Sequence, residues 1–383
     1  MLRATFALVA LCLGLSLVAA QQPAPAPAVT MDDIKKAWQE RQDKVKTLKM
    51  SWTQKITHPK GSLTARAAAT SGPAPSGPQP PKDLLLEGQC NFILSEDGKY
   101  SLEIRKANWS IKMQDVSPFH TRTMFDGRDH HVEFLAADRL DHNVVVSTQP
   151  QKVKVAVEFR TISTYPIFWT FRGADDKFSA HSLDDYELSG RFVVLGGRRC
   201  CELVQKSRSA SSSQVLLLDT ERGYAPLSLT VTTEKTVTLH LGIEYTFSQD
   251  VGLWLPSAWK SSTHTHSGAL RESVAVTVTE CVPNAGVRPT EFQPSLPPGT
   301  HLLDQRNADA RVQTVVKDDG TIGRFLPLPA SVSYDELREH ANSGRSWYHA
   351  VLYLSLLLLV LSLSFALVTR RQRMRNSRRK TTH

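Results

Sequence analysis

The stretch TVTLHLGIEYTF, residues Thr236–Phe247, alternates between apolar and polar side chains over its whole length. Its odd-numbered positions carry valine, leucine, isoleucine, tyrosine and phenylalanine, whereas its even-numbered positions carry threonine, histidine, glycine and glutamate. Because successive side chains of a β-strand point to opposite faces, this period of two predicts a strand with one dry and one wet face. The stretch therefore indicates an antiparallel sheet that is exposed to solvent on one side.

Pairs of turn residues divide the surrounding sequence into further short strands. Asp97-Gly98, Asp126-Gly127 and Gly196-Gly197 each separate two such segments, and dipeptides of this kind are typical of tight hairpin turns. Other alternating or β-branched segments predict strands at 48–56, 215–219, 227–231, 253–260, 272–281 and 311–317. We therefore expect one large curved antiparallel sheet.

One amphipathic helix is predicted ahead of the strands, over residues 31–47. Thr30 is suited to cap it, and Asp33 lies in its first turn, where a negative charge is favourable. Its apolar side chains recur at helical spacing with one arginine among them, at Ile34, Ala37, Trp38, Arg41, Val45 and Leu48. The fold class is therefore mainly β, of the α+β type: a curved antiparallel sheet or unclosed β-barrel with an N-terminal amphipathic helix.

The carboxyl-terminal sequence predicts a membrane anchor. Residues 347–369 contain no charged side chain, and a helix of these 23 residues is long enough to cross the hydrocarbon core of a bilayer. The tail, residues 370–383, then carries seven cations, which keep a tail in the cytoplasm by the positive-inside rule. We therefore expect a C-terminal transmembrane helix in the inner (cytoplasmic) membrane, with the N-terminal domain extracytoplasmic and the tail cytoplasmic.

The rest of the chain divides in agreement with this topology. Residues 1–20 have the basic start, apolar run and small terminal residues of a signal peptide. A Pro/Ala-rich leader follows at 21–30, and then the β-domain at 31–325, which contains a disordered Pro-rich insertion at 60–83. Residues 326–346 form the juxtamembrane segment.

The formal charge of +9 lies mostly in the predicted tail. Without the tail and Arg3, residues 21–346 carry a net charge of only +1. A nearly neutral exported domain gives no reason to expect a nucleic-acid partner. The expected partner is the membrane itself, where the basic tail is suited to anionic lipids.

Short phrases spread between residues 31 and 322 resemble the LolA/LolB-like family of secreted bacterial envelope proteins, most of which have no assigned function. The phrases are Ile34-Lys35-Lys36-Ala37-Trp38, Met50-Ser51-Trp52, Phe125-Asp126-Gly127, Leu218-Asp219, Gly223-Tyr224-Ala225-Pro226, Leu253-Trp254-Leu255-Pro256 and Leu296-Pro297-Pro298-Gly299-Thr300 with Asp304. The resemblance implies an unclosed β-barrel wrapped around a helical plug, and a lipoprotein as a possible partner. LolA itself is soluble and lacks an insertion like 60–83, so the resemblance carries over the fold and no functional residue.

Aromatic residues are expected on the inner side of such a barrel. An apolar cleft lined by them would suit an acyl chain or a lipidated partner, whereas a helix that fills the barrel would make the same residues ordinary core. The candidates are Trp38, Trp52, Phe92, Phe125, Tyr165, Phe168, Trp169 and Phe171. The leading hypothesis is a membrane-anchored extracytoplasmic domain that binds a lipid, a lipoprotein or another apolar ligand. The alternative is a structural or interaction module of the cell envelope without a small ligand.

Four cysteines remain after the predicted signal peptide: Cys90, Cys200, Cys201 and Cys281. An exported location permits disulfides, and four cysteines allow three pairings. Cys200 and Cys201 are adjacent, so on a strand they point to opposite faces. We expect one or two disulfides, with unpaired buried thiols as the alternative.

No motif for catalysis or cofactor binding is apparent. A Gly-x-Ser-x-Gly nucleophile motif is absent, and the closely spaced histidines and acidic pairs lack the extra donors or alternating spacing that zinc and calcium sites need. These residues are His130, His131, His142, His264, His266, Asp175, Asp176, Asp184 and Asp185. We therefore expect exposed histidines and solvated acidic loops, and neither a metal, a cofactor nor an enzyme.

Overall fold

The computed structural model describes residues 29–63, 80–110, 114–135, 143–148, 164–174, 183–206, 211–307, 311–327 and 333–380. The predicted signal peptide, most of the leader and most of the Pro-rich insertion lie outside these residues, as do His142, Asp175 and Asp176.

Within the described ranges, sixteen strands form a single sheet. The strands are β1 (Leu48–His58), β2 (Leu84–Leu94), β3 (Tyr100–Ser110), β4 (Asp115–Phe125), β5 (Asp129–Phe134), β6 (Asn143–Thr148), β7 (Tyr186–Leu195), β8 (Arg198–Gln205), β9 (Ser212–Asp219), β10 (Ala225–Thr233), β11 (Thr236–Ser248), β12 (Leu253–His264), β13 (Leu270–Pro283), β14 (His301–Asp304), β15 (Val312–Val315) and β16 (Leu326–Pro327). From edge to edge their order is β16, β15, β14, β6, β5, β4, β3, β2, β1, β13, β12, β11, β10, β9, β8 and β7. The edge strands β16 and β7 do not pair with each other, which confirms the predicted unclosed sheet.

Pairing is antiparallel throughout this order except between β6 and β14, which run parallel. The stretch that indicated the sheet forms β11, between β10 and β12. Leu241 and Ile243 on its dry face are 0% and 5% exposed, while His240 and Glu244 on the other face are open to solvent. The alternation of apolar and polar residues in β11 therefore arises because the apolar side chains are buried against a core on one face of the sheet.

Glycine shapes the predicted hairpin turns. Gly98 and Gly197 have φ angles of +86° and +78°, a left-handed conformation that side chains disfavour. These two residues let β2 turn into β3 and β7 into β8.

Two helices lie against the dry face. Helix α1 (Met31–Lys44) begins with a capping box between Thr30 and Asp33, and it ends three residues before the predicted boundary. Helix α2 (Tyr165–Phe171) is short and almost wholly buried, and it packs on α1, β10 and β12. Short 3₁₀ turns at Leu183–Asp185 and Pro289–Phe292 complete the described helical elements that precede the long C-terminal helix.

The opposite face of the sheet carries a smaller core at its β16 end. Val144 and Val146 of β6 pack with Leu302 of β14 and are at most 8% exposed. The register places this face opposite the one that contains Phe92, since Phe92 and Val144 fall in alternate rows across β2 to β6. The sheet is thus covered on both faces, by different segments at different places.

Helix α3 (Tyr334–Lys380) is one continuous helix of 47 residues. Its first turns pack on the domain through Leu337 and Ala341, which contact Val315 of β15. Its later part, Val351–Arg370, is long and apolar enough to cross a membrane, and none of it is buried against the domain. The later part of the predicted juxtamembrane segment and the predicted membrane segment are therefore parts of the same helix.

Candidate functional site

The aromatic residues predicted to line an inner cleft come together between the sheet and the two helices. Six of the eight are at most 4% exposed, and Phe125 and Tyr165 are half-buried; the six are Trp38, Trp52, Phe92, Phe168, Trp169 and Phe171. Their rings contact one another directly: Phe92 meets Phe168 edge-on at 5.7 Å between centroids, and Tyr165 lies 5.3 Å from Trp169. At these residues α1 and α2 occupy the space inside the barrel, so a ligand would reach the rings only after a helix moved.

Two polar contacts hold helix α1 in this position. The indole N–H of Trp38 donates to the carbonyl of Tyr224 at 2.8 Å. The guanidinium of Arg41, which interrupts the apolar stripe of α1, is 5% exposed and donates to the carbonyl of Gly223. Burial lowers the pKa of Arg41 to about 10, because the interior disfavours its charge. The β9–β10 turn is therefore tied to α1 at two points.

An open cleft lies instead over the strands β10, β11 and β12. Ser228, Gly242 and Lys260 lie side by side on these strands, in register. A side chain at Gly242 would meet no atom within 4 Å, so the floor of the cleft is bare backbone at this point. The β7–β8 turn, with Leu195 and Arg198, contributes to the walls of a cleft of about 800 Å³. This volume falls in the range of small-molecule sites, roughly 300–1,000 Å³.

Cationic side chains dominate the cleft. Arg198 and Arg222 both contact the buried carboxylate of Asp219, at 3.3 and 3.5 Å. The guanidinium carbon of Arg222 also lies 3.6 Å from the ring centroid of Trp254, which fixes its position. Lys260 is exposed and forms no ion pair within 4 Å among the described residues.

The lining of the cleft therefore suits an amphiphile with an acidic group. Three cations, Arg198, Arg222 and Lys260, face a single lining carboxylate, Glu244, while Asp219 neutralises one further charge beneath them. Leu195 and Leu227 supply apolar surface in the same cleft. His240 completes one wall, and one of its ring nitrogens lies 3.3 Å from the hydroxyl of Thr230.

None of these lining residues was predicted from the sequence. The available signal was Gly242, which stands in the middle of the clearest predicted strand, where glycine weakens a strand and often accompanies a close approach by another group. The approach of the β7–β8 turn to this position depends on strand order, which local sequence does not reveal.

The predicted disulfides do not form, since all four cysteines are free thiols. Cys90 on β2 and Cys281 on β13 lie on opposite sides of β1, so their Cα atoms are two strand spacings, roughly 9–10 Å, apart, whereas a disulfide needs less than about 7 Å. Cys200 and Cys201 are neighbours on β8, far from both. Burial raises the pKa of Cys90 and of Cys281 to about 12, so both thiols stay protonated at neutral pH.

The expectation of exposed histidines was wrong for one pair. His130 and His131 on β5 are 5% and 7% exposed, because the two faces of the sheet are both covered at this position. A ring nitrogen of His131 lies 3.0 Å from the carboxylate of Asp126, and the ring of His130 packs against Tyr100. In the part of the chain that the structure describes, no three histidine, cysteine or acidic side chains converge as a metal site would require.

A buried carboxylate fastens the segment after β13 to the face of the sheet opposite Phe92, the face on which Val144 lies. Glu133 on β5 is 1% exposed and accepts the backbone N–H of Ser295. Arg122 lies beside it and donates to the carbonyl of Glu291 at 2.7 Å. Burial raises the pKa of Glu133, and the N–H of Ser295 and the charge of Arg122 only partly offset this effect. We interpret this group as structural.

No family model matches the chain, and no curated protein matches it. Among solved structures, it is similar to a "putative outer membrane lipoprotein-sorting protein domain" from Vibrio parahaemolyticus, with 10% sequence identity, coverage of 69% of this chain and 97% of that chain, and a TM-score of 0.39. It is also similar to a DUF1329 family protein from Desulfovibrio piger, with 9% identity, the same two coverages of 69% and 97%, and a TM-score of 0.35.

Proposed function

We propose that this chain is a membrane-anchored protein of the cell envelope whose extracytoplasmic β-domain binds a lipid, a lipoprotein or another ligand with an apolar part. The observation that carries the ligand proposal is the cleft over Gly242, which combines unpaired positive charge with apolar walls. The proposed site differs from the aromatic interior expected from the sequence, because α1 and α2 occupy that interior.

The proposed anchor is the later part of α3. Val351–Arg370 has no residue buried against the domain among those described, and a helix of this length spans a bilayer core of about 30 Å. The cations that follow it favour a cytoplasmic tail, and the proposed position of the β-domain is therefore the outer side of the inner membrane. A signal peptide at residues 1–20 would complete this topology.

The chemistry of the cleft supports an acidic head group as the point of recognition. Lys260 offers an ammonium with no ion-pair partner within 4 Å among the described residues, and Arg198 stands on the opposite wall. A carboxylate or phosphate between them would form charge-assisted hydrogen bonds. The apolar side chains of Leu195 and Leu227 would then contact the adjoining hydrocarbon.

Photo-labelling tests this proposal on the full chain in phospholipid nanodiscs. A fatty acid with a diazirine on its acyl chain is added and irradiated, and the labelled peptides are identified by mass spectrometry. We expect labels on peptides from 195–198 and 227–260 in addition to α3. Labels on α3 alone would contradict the cleft, whereas labels on peptides that contain Trp38 or Trp169 would move the site into the aromatic interior.

Two glycine variants give a matched comparison. Gly242→Phe fills the floor of the cleft, and because a side chain there meets no atom within 4 Å and aromatic residues favour strands, the fold should tolerate it. Gly286→Phe is the control, since Gly286 also has open space around it and lies outside the cleft. We expect Gly242→Phe to lose the cleft labels and Gly286→Phe to keep them.

The alternative function, an interaction module without a small ligand, is favoured by the edge strand β7. Phe192, Val194 and Leu195 are 42%, 73% and 41% exposed there, on the side of β7 where no strand pairs among the described residues. Such an edge is suited to a strand from a partner. Val194→Lys should release a co-purifying protein if this alternative holds, and leave photo-labelling of the cleft unchanged. Both alternatives are non-enzymatic, in line with the missing nucleophile motif in the sequence.

A further inference from the structure

The loop Lys317–Pro327, which we call the α3 loop, packs against the first turns of α3. Gly323 is at the contact: a side-chain carbon there would lie 2.8 Å from the Cβ of Ala341 and 2.7 Å from the carbonyl of Val315. Arg338 of α3 forms an ion pair with Asp318 of the loop at 3.3 Å. The loop therefore lies alongside the helix that continues toward the proposed membrane span.

Backbone hydrogen bonds hold the α3 loop in one conformation. The N–H of Lys317 donates to the carbonyl of Thr321 at 2.8 Å, and the N–H of Gly320 donates back to Lys317 at 2.9 Å. The N–H of Gly323 donates to Val315 at 3.0 Å. The position of the loop relative to α3 is thus fixed by the fold.

Two large apolar side chains project from this loop into solvent. Ile322 is 48% exposed and Phe325 is 38% exposed, with the exposed Arg324 between them. An apolar pair flanking an arginine is typical of a surface at the lipid head-group level, where apolar side chains enter the interface and arginine reaches the phosphates.

The helix sets the distance from this loop to the bilayer. Val351, where the apolar span begins, lies ten residues along α3 from Ala341, which is next to Gly323. At about 1.5 Å per residue these ten residues cover about 15 Å, and the head groups of one leaflet occupy about 5–8 Å of it. The gap that remains is about 7–10 Å, and the side chains of Ile322 and Phe325 would have to span it together with a modest tilt of the helix.

We propose that the α3 loop is a second membrane contact, in which Ile322 and Phe325 enter the head-group layer of the outer leaflet beside the anchor. The proposal rests on the proposed membrane anchoring by α3. It commits to the lipid surface as the partner because α3 carries the loop to that surface, and no comparable continuity points to another protein.

The test places a polarity-sensitive nitrobenzoxadiazole dye at single introduced cysteines of the full chain in nanodiscs. Ile322→Cys and Phe325→Cys report on the α3 loop, and Val237→Cys on β11 is the control, since Val237 is a β-branched residue of similar exposure, 42%. The native thiols Cys90, Cys200 and Cys201 are buried, and the unmodified chain, labelled in the same way, gives the background signal.

The readout is quenching by phosphatidylcholine that is brominated near the top of its acyl chains. We expect a blue-shifted emission and about a twofold loss of intensity at positions 322 and 325, and unchanged emission at 237, because the bromines lie close to the head-group layer. Unquenched emission at both loop positions would overturn the proposal, whether the emission is water-like or is blue-shifted because a protein partner covers the dye. Flotation of each variant with the nanodiscs after alkaline washing tests the anchor separately, so a failed anchor and a failed loop contact give different results.

Discussion

Replacing Arg172 by leucine removes a buried guanidinium that donates to four backbone carbonyls. Arg172 follows α2 and is 2% exposed. It donates to the carbonyls of Val45 at 2.8 Å, Lys46 at 2.7 Å, Ser95 at 3.2 Å and its own neighbour Phe171 at 2.6 Å. These contacts connect α2 with the end of α1 and with the β2–β3 turn.

The structure gives the expected size of the effect. Val45 and Ser95 are 0% and 6% exposed, so their carbonyls would lose Arg172 in a place that water does not reach easily. Each buried acceptor left without a donor costs about 1–3 kcal/mol, and leucine recovers part of this by removing a buried charge. We therefore expect Arg172→Leu to lower the free energy of unfolding by about 3 kcal/mol.

Guanidinium titration of the detergent-solubilised chain measures this change through the fluorescence of the core tryptophans. Arg172→Lys keeps the charge but not the planar fork of donors, so its loss should be about half as large. Arg288→Leu is the control, because the Arg288 side chain is 80% exposed and a surface ion pair contributes at most about 1 kcal/mol. A loss below about 1 kcal/mol for Arg172→Leu would refute the reasoning, since other donors would then satisfy the carbonyls.

Three further changes test other parts of the fold. Glu133 has a raised pKa, so its protonated form is favoured in the folded state, and the free energy of unfolding falls as pH rises through that pKa. Glu133→Gln lacks this loss, so in denaturation titrations its free energy of unfolding should rise relative to that of the unchanged chain between pH 4 and pH 7, by a margin that grows with pH. Asp304 has a lowered pKa, chiefly because Arg306 donates to its carboxylate. The carboxylate therefore stabilises the fold above the pKa of the unfolded state, and this stabilisation is lost as pH falls. Asp304→Asn should be destabilising at pH 7 and nearly neutral below pH 3 in the same assay. A side-chain carbon at Gly173 would lie 2.3 Å from the ring of Trp38, so Gly173→Ala should cost about 1–3 kcal/mol by thermal unfolding.

Local patterns were sufficient to predict the type of most elements. The alternation at 236–247 predicted β11 because burial on one face selects side chains with a period of two. The Asp97-Gly98 turn was predicted because glycine permits a positive φ at low cost. The helix at 31–44 was predicted because its apolar residues recur at helical spacing after a capping threonine.

Long-range order was not predictable from the same patterns. β1 lies between β2 and β13, which places Met50 beside both Phe92 and Cys281, although 231 residues separate Met50 from Cys281. No local signal specifies such a pairing, so neither the separation of the cysteines nor the position of the cleft was accessible. Arg172 was missed for a related reason, since its acceptors come from α1 and β2 and only the folded chain brings them together.

The cleft and the proposed membrane contact lie far apart on the same sheet, and this separation bears on what a bound ligand would experience. The strand order places β11, with Gly242, ten positions from β15, on which α3 docks. At about 4.8 Å per strand, the path along the sheet is about 48 Å. If the sheet curved until its edges β7 and β16 met, the path across that seam would still cover six strand positions. A ligand in the cleft would therefore be bound away from the α3 loop. The apolar side chains of Leu195 and Leu227 would contact its hydrocarbon there. If photo-labelling of the cleft required an intact α3 loop, the two sites would have to be adjacent, and this separation would be wrong.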